Sequence, residues 1–314
     1  MEKSSFQDVL AMVDDFTAEQ KLALKKAIDE KDLFAKVCFI LDNRVRSNLK
    51  CVRCRSINVK RWGKQSGIQR FRCMDCRRSF NSLTNTSLAH LRKKEQWLNM
   101  AVALKESLSL KKTAITCAVT ISTAFRWRHR FLRPIQQDNP IKLEGIAEAD
   151  ETYFLESFKG QRFLSRPSRK RGGKAESRGL SREQIPVLIA RDRAGTVIDG
   201  VLADQTTSSI AKLLAGRVGK DNILCIDGGN ALRGFVYAEK IQFKIIPSSK
   251  HIHEQDPVFH IQNVNAYHSR LKGWMRRFHG VATKYLPNYL GWRRMFEKPK
   301  SMLSSTAWVQ CAAN

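Results

Sequence analysis

Apolar and polar positions divide this chain into stretches of different period. In residues 5–30, Leu22, Leu24 and Ile28 recur at near-helical spacing behind Thr17, a cap with Gln20 three residues on, so two helices are expected. From Cys51 to about Thr86 that period gives way to short, basic, strand-and-turn sequence. Helical spacing returns over residues 93–133. Glu95–Glu106 sets Trp97, Leu98, Ala101, Val102 and Leu104 on one face, Leu110–Val119 makes a second short helix, and Ser122–Phe131 a third. Arg133-Pro134 to Asn139-Pro140 is expected to end this run, because residues before proline resist helix.

Strands and helices then alternate. Gly145–Ala149 leads as a strand into Asp150, and Ile185–Ala190 pairs with Thr196–Leu202 around an Arg191–Gly195 turn. Ser208–Arg217 is an amphipathic helix, while Asn222–Ile226 and Gln242–Ile246 are short strands. Asn265–Phe278 is a helix with Leu271, Trp274, Met275 and Phe278 on its apolar stripe. The insert Arg166–Arg182, rich in Arg, Lys, Gly and Ser, is expected to be a mobile basic loop.

Charge changes the picture more than composition does. The 314 residues carry 56 Lys and Arg against 29 Asp and Glu, a net +27, which suits a polyanion as partner. The excess is uneven: residues 1–50 are neutral, 51–140 hold 19 bases against four acids, and 141–314 hold 28 against 16. With no run of 18 apolar residues and no apolar stretch behind a basic start, a soluble protein, neither secreted nor membrane-spanning, is expected, with no membrane partner.

Four of the eight cysteines form a constellation. Cys51-x-x-Cys54 and Cys73-x-x-Cys76, separated by 18 residues, offer four thiolates to one tetrahedral ion, and a structural zinc is expected. Cys38, Cys117, Cys225 and Cys311 stand singly in apolar surroundings and read as small buried hydrophobes. Around the two pairs, Arg53, Arg55, Lys60, Arg61, Trp62, Arg70, Phe71, Arg72, Arg77 and Arg78 make a basic, partly aromatic surface suited to phosphates. The three short helices that follow fit a helix-turn-helix unit, with Arg126, Arg128 and Arg130 of the third facing DNA and Trp127 in the core.

Asp150 and Asp227 each follow a buried strand, and Asp227 precedes Gly228-Gly229. A carboxylate there is costly unless it meets a cation or hydrogen bonds, and two on adjacent strands would hold divalent ions against phosphate oxygens.

Taken together, Cys51–Cys76, Asp150-Glu151-Thr152-Tyr153, Asp227-Gly228, the stretch from His260 through Asn265 to Lys272, and Ala282–Leu290 resemble the zinc-ribbon DDE transposases, in the fifteen-ninety-five family of insertion sequences (the ISXO-type branch). The likeness runs from about residue 45 to 295. It implies a multidomain α+β chain: a helical segment over 1–45, a zinc ribbon over 46–90, a helix-turn-helix over 91–135, an RNase H-like domain of the retroviral-integrase type over 141–300, and a tail over 301–314. It further implies two Mg²⁺ or Mn²⁺ ions at Asp150 and Asp227, cleavage at transposon ends, and attack of the freed 3′-OH on target DNA. The third family position falls on Asn265, an amide where Glu is usual, and its helical partner on Lys272. Glu254, Asp256 and His260 are the alternative third ligands. Arg270, Lys272, Arg276, Arg277, Lys284, Arg293 and Arg294 would track the DNA backbone, over a core built by Trp274, Trp292, Tyr285 and Tyr289. Expected partners are terminal inverted repeats, target DNA and a second copy of the chain, in a bacterial cytoplasm on the nucleoid. The competing functions are a zinc-ribbon regulator without activity, for which Asn265 speaks, and a nuclease that cuts without joining.

Overall fold

A computed structural model describes residues 3–46, 48–169, 173, 175, 176, 181–247 and 256–313. The chain separates into two compact units, residues 1–131 with 304–314, and residues 132–303. No helix among the described residues is long and apolar enough to cross a membrane.

In the first unit, α1 (Lys3–Asp14) and α2 (Ala18–Arg46) are joined at Thr17. The backbone N–H of Thr17 donates to Gln20 Oε1 at 2.8 Å and that of Gln20 to Thr17 Oγ1 at 3.2 Å, the reciprocal cap expected from the sequence. Three antiparallel strands follow, β1 (Val59–Gln65), β2 (Ile68–Cys73) and β3 (Ser79–Asn81). Their core is small: Cys51, Cys73 and the stacked rings of Phe71 and Phe80. Then come α3 (Trp97–Lys105), α4 (Leu110–Thr116) and α5 (Ile121–Gln137), which bury Trp97, Leu104, Cys117, Trp127 and Phe131.

Helix α5 runs through Pro134 instead of ending before it. A proline inside a helix costs about 3 kcal/mol, and burial of Leu132 and Ile135 on either side offsets that cost. Within the segment read as a tail, a helical turn over Lys300–Leu303 leads into α10 (Ser305–Ala313), which buries Trp308 and Val309 against α2 and α3.

The second unit is built on a five-stranded mixed sheet. Its strands are β4 (Ile146–Leu155), β5 (Gln184–Asp192), β6 (Val197–Val201), β7 (Ile223–Ile226) and β8 (Gln242–Ile245), in the order β6-β5-β4-β7-β8. The β4–β5 and β5–β6 pairs are antiparallel, β4–β7 and β7–β8 parallel. One face carries Ala147, Ala149, Leu188, Ala190, Leu224 and Ile226 against α6 (Thr207–Leu214) and α7 (Asn230–Ala238). The opposite face meets α8 (Gln262–Arg276) and α9 (Leu286–Met295), with Trp274, Phe278, Tyr289 and Trp292 packed edge to face beneath them.

Candidate active site and cysteine cluster

Asp150 does not end a strand, as the sequence suggested; β4 continues to Leu155. What ends is its parallel partner: the β4–β7 ladder closes at Ala149 opposite Ile226. Asp150 and Asp227 are therefore the next residues on two adjacent strands, at the carboxyl ends of the ladder. Gly228, at φ +92°, turns the chain sharply enough for the N–H of Gly229 to donate to Asp227 Oδ1 at 2.9 Å.

Glu151 joins them. Carboxylate oxygens of Asp150, Glu151 and Asp227 all lie within 4.8 Å of one another. Successive residues of a strand point to opposite faces, so alternation alone would set Glu151 apart from Asp150. Its longer side chain reaches the cluster because β7 has ended and leaves that side of β4 uncovered. Burial, and then the charges of Asp227 and Glu151, raise the Asp150 carboxyl to about 7, with Lys272 pulling the other way. Burial and the charge of Asp227 likewise raise Glu151 to about 7. Three acids so close and half-buried repel one another unless protons or a cation intervene, and an all-oxygen donor set is what a hard divalent cation takes.

Opposite the acids, α8 presents Asn265, His268, Ser269 and Lys272, spaced by three and four residues and so on one face. With Glu151, Thr152, Tyr153 and Gln262 they line a cavity of about 600 Å³. His268 Nδ1 stands 3.7 Å from the Asp150 carboxylate. Burial and the charge of Lys272 lower its pKa to about 4, so it is a neutral imidazole at physiological pH.

Buried acids of the sheet hold α8 in place. Glu148, on the Asp150 face of β4, is fully buried; one oxygen accepts the Val264 N–H in the first turn of α8 at 2.8 Å, and the other pairs with Arg193. Further along the helix, Tyr267 donates its hydroxyl to Asp199 at 3.3 Å, and Asp199 pairs with Arg294 in the core.

That architecture answers several sequence expectations. His260 lies 3.3 Å from Glu148 and 3.1 Å from Arg193, outside the acid cluster. Asp256 accepts the Val258 N–H, and Glu254 lies outside the described residues, as does part of the 166–182 insert. Arg293 and Arg294, expected on DNA, are buried partners of Glu297 and Asp199. Arg128, expected to face DNA, is 1% exposed and donates to the Leu108 carbonyl and the Thr113 hydroxyl. Arg130 is half-buried and donates to the carbonyls of Ser87 and Ala89. Arg126, Lys272, Arg276 and Arg277 are exposed, and Arg270 is 45% exposed beside Glu297.

In the first unit the four cysteine sulfurs also gather within 4.8 Å, with Cys51 and Cys76 at 3.7 Å and Cys54 and Cys73 at 3.5 Å. Tetrahedral ligands at a Zn–S distance of about 2.3 Å would sit ~3.8 Å apart, close to these values. The N–H groups of Cys76 and Asp75, donating to the Cys73 sulfur, pull that thiol down to about 6. Backbone donors thus hold a thiolate ready for a metal.

Residues 142–293 match the family described as the ISXO2-like transposase domain. An uncharacterized protein in the transposable element ISH50 of Halobacterium salinarum is 29% identical over 265 residues, which cover 82% of this chain and 89% of that protein. Two solved structures show weaker likeness, each at 12% identity. A simian T-cell lymphotropic virus intasome, in complex with PP2A regulatory subunit B56 gamma, matches over 63% of this chain and 68% of that one, with a TM-score of 0.30. A pre-cleavage Mos1 transpososome matches over 68% and 77%, with a TM-score of 0.21. Scores this low have no bearing on the fold.

Proposed function

We propose, from the premise that residues 142–293 belong to the ISXO2-like transposase domain family, that this chain is the transposase of an insertion sequence, cutting the element's ends and joining them to target DNA. The observation that carries the mechanism is the cluster of Asp150, Glu151 and Asp227, of which Glu151 lines one small cavity together with Asn265 and Lys272. The sheet, with antiparallel strands on one side of β4 and parallel strands on the other, supports an RNase H-like reading of the unit.

Asp150, Glu151 and Asp227 are suited to hold two Mg²⁺ or Mn²⁺ ions, with the Asn265 amide as a neutral fourth donor. When bound, such ions activate the attacking oxygen and stabilise the leaving one. Asn265 alone would leave the site short of charge; Glu151 makes up that deficit. Lys272, exposed at the cavity edge, would take a phosphate of the end DNA. His268, uncharged, adds no positive charge to the cluster, and its Nδ1 lies 3.7 Å from the Asp150 carboxylate.

The four cysteines would hold a structural zinc and so form the ribbon, and α3, α4 and α5 would serve as a helix-turn-helix. In that unit Arg126 is the arginine left exposed among the three expected to face DNA. A reaction on two ends calls for at least two copies of the chain. Against the regulator reading stands the convergence of three carboxylates.

The test is to incubate the protein with labelled element ends, a target plasmid and Mg²⁺ or Mn²⁺. Products joined to the plasmid support a transposase, cut but unjoined ends support a nuclease, and tight binding without cutting supports the regulator.

A further inference from the structure

A second, larger cavity of about 980 Å³ lies against the acid site, between the outer half of β4 and the far half of α8. It shares Tyr153 and Lys272 with the smaller cavity, and Tyr153 is two residues from Glu151, a distance of roughly 6.6 Å along a strand. Its walls include Tyr153, Phe158, Leu164 and Met275, with Lys272 and Arg276 bringing positive charge. The enclosure is fastened. Ser157 and Thr283 exchange backbone and side-chain hydrogen bonds at 2.8 and 2.9 Å, and Lys159 donates to the carbonyls of His279 and Gly280. Arg166 lies over the Phe158 ring at 5.0 Å and closes that side.

Next to this cavity stands Phe163, 92% exposed, while its neighbour Leu164 lines the wall. A phenylalanine left almost wholly in water forgoes the burial that its ring normally gains.

We propose that the cavity receives a nucleobase swung out of the duplex beside the scissile phosphate, and that Phe163 enters the gap left in the base stack. This rests on the reading of the chain as a DNA end-processing enzyme. An apolar, aromatic-walled pocket with cations at hand matches a heteroaromatic ring that trails its own phosphates. A phosphate at the three acids puts the next nucleotide at the shared Tyr153–Lys272 wall. Apolar side chains inserted between base steps unstack them, and Phe163, exposed one residue from the wall residue Leu164, has that shape.

The test substitutes 2-aminopurine, one position at a time, through the nucleotides flanking the cut, and reads its fluorescence when the full-length protein binds. One position brightens several-fold on binding, and Phe163→Ala abolishes the rise. Phe163→Ala also slows end cleavage by about 5- to 150-fold, the range that a base–aromatic contact is worth. Leu164→Trp, which fills the cavity, slows cleavage of intact ends but not of ends with an abasic nucleotide at that position. Fluorescence quenched at every position, from protein that still cuts the same DNA, overturns the proposal and leaves the transposase reading standing. A rise at one position without any cutting in Mg²⁺ or Mn²⁺ would instead overturn the transposase reading and keep the pocket.

Discussion

Glu148 sets how α8 faces the acids, and its removal can be costed from the structure. Its side chain is 1% exposed, caps the first turn of α8 through Val264, and pairs with Arg193, which is 28% exposed. Glu148→Ala removes a hydrogen-bonded buried charge and leaves the Val264 N–H and the Arg193 guanidinium without it. Breaking a buried pair from one side costs about 3–5 kcal/mol, toward the lower end here because Arg193 can turn to water. Glu148→Gln keeps an acceptor for Val264 but loses the charge, and costs ~1.5–3 kcal/mol, the worth of a hydrogen bond to a charged group. Denaturant unfolding followed by tryptophan fluorescence, with Trp274 and Trp292 in the core beneath α8, gives these differences. End cleavage measured well below the unfolding midpoint then falls in both variants, because Asn265 and Lys272 lose their register with Asp150. Stability within ~0.5 kcal/mol of wild type for Glu148→Ala, the usual span of a surface change, would refute the reasoning.

Other outcomes follow from the same geometry. Asp150 and Glu151 are raised to about 7 in the fold, whereas unfolded carboxyls titrate near 4, so between those values the folded chain binds more protons. Stability without added divalent cation therefore falls as pH rises from about 4.5 to 7.5, and Mg²⁺ reverses the fall; a flat melting temperature over that window contradicts it. Cys54→Ser removes about one zinc per chain by metal analysis and unfolds the three-stranded sheet, whose apolar core is too small to stand alone; retained metal and intact exchange protection would contradict the ribbon. Arg128→Ala lowers stability by about 2–3 kcal/mol by removing a charged donor from buried acceptors. Arg126→Ala leaves the melting temperature unchanged and reduces the salt slope of DNA binding by roughly one phosphate contact. The reverse pattern would return Arg128 to the DNA face.

What the sequence made readable, and what it hid, follows from the range of the interactions. The Thr17 cap, the hairpin around 191–195, the cysteine pairs and the strands leading to Asp150 and Asp227 are local patterns, and the fold reproduces them. Glu151 follows Asp150 in the sequence, but strand alternation points it to the other face, and its meeting with Asp150 and Asp227 is visible only in the fold. Arg128, Arg293 and Arg294 look like surface cations, yet their partners lie 20 residues off at Leu108, close by at Glu297, and 95 residues off at Asp199. Spacing cannot reveal the partners of Arg128 and Arg294, whereas Arg293 and Glu297 stand only four residues apart. Glu148 and Asp199 are hidden in the sequence for the same reason: each serves a helix that begins more than 60 residues later.

The most direct test of the central claim compares single-turnover end cleavage in Mn²⁺ by wild type, Asp150→Asn, Glu151→Gln and Asp227→Asn. If the three carboxylates together hold the catalytic cations, each variant binds end DNA normally and loses cleavage and joining. If Glu151→Gln cuts and joins at the wild-type rate, Glu151 is not a ligand and the charge argument for this site fails.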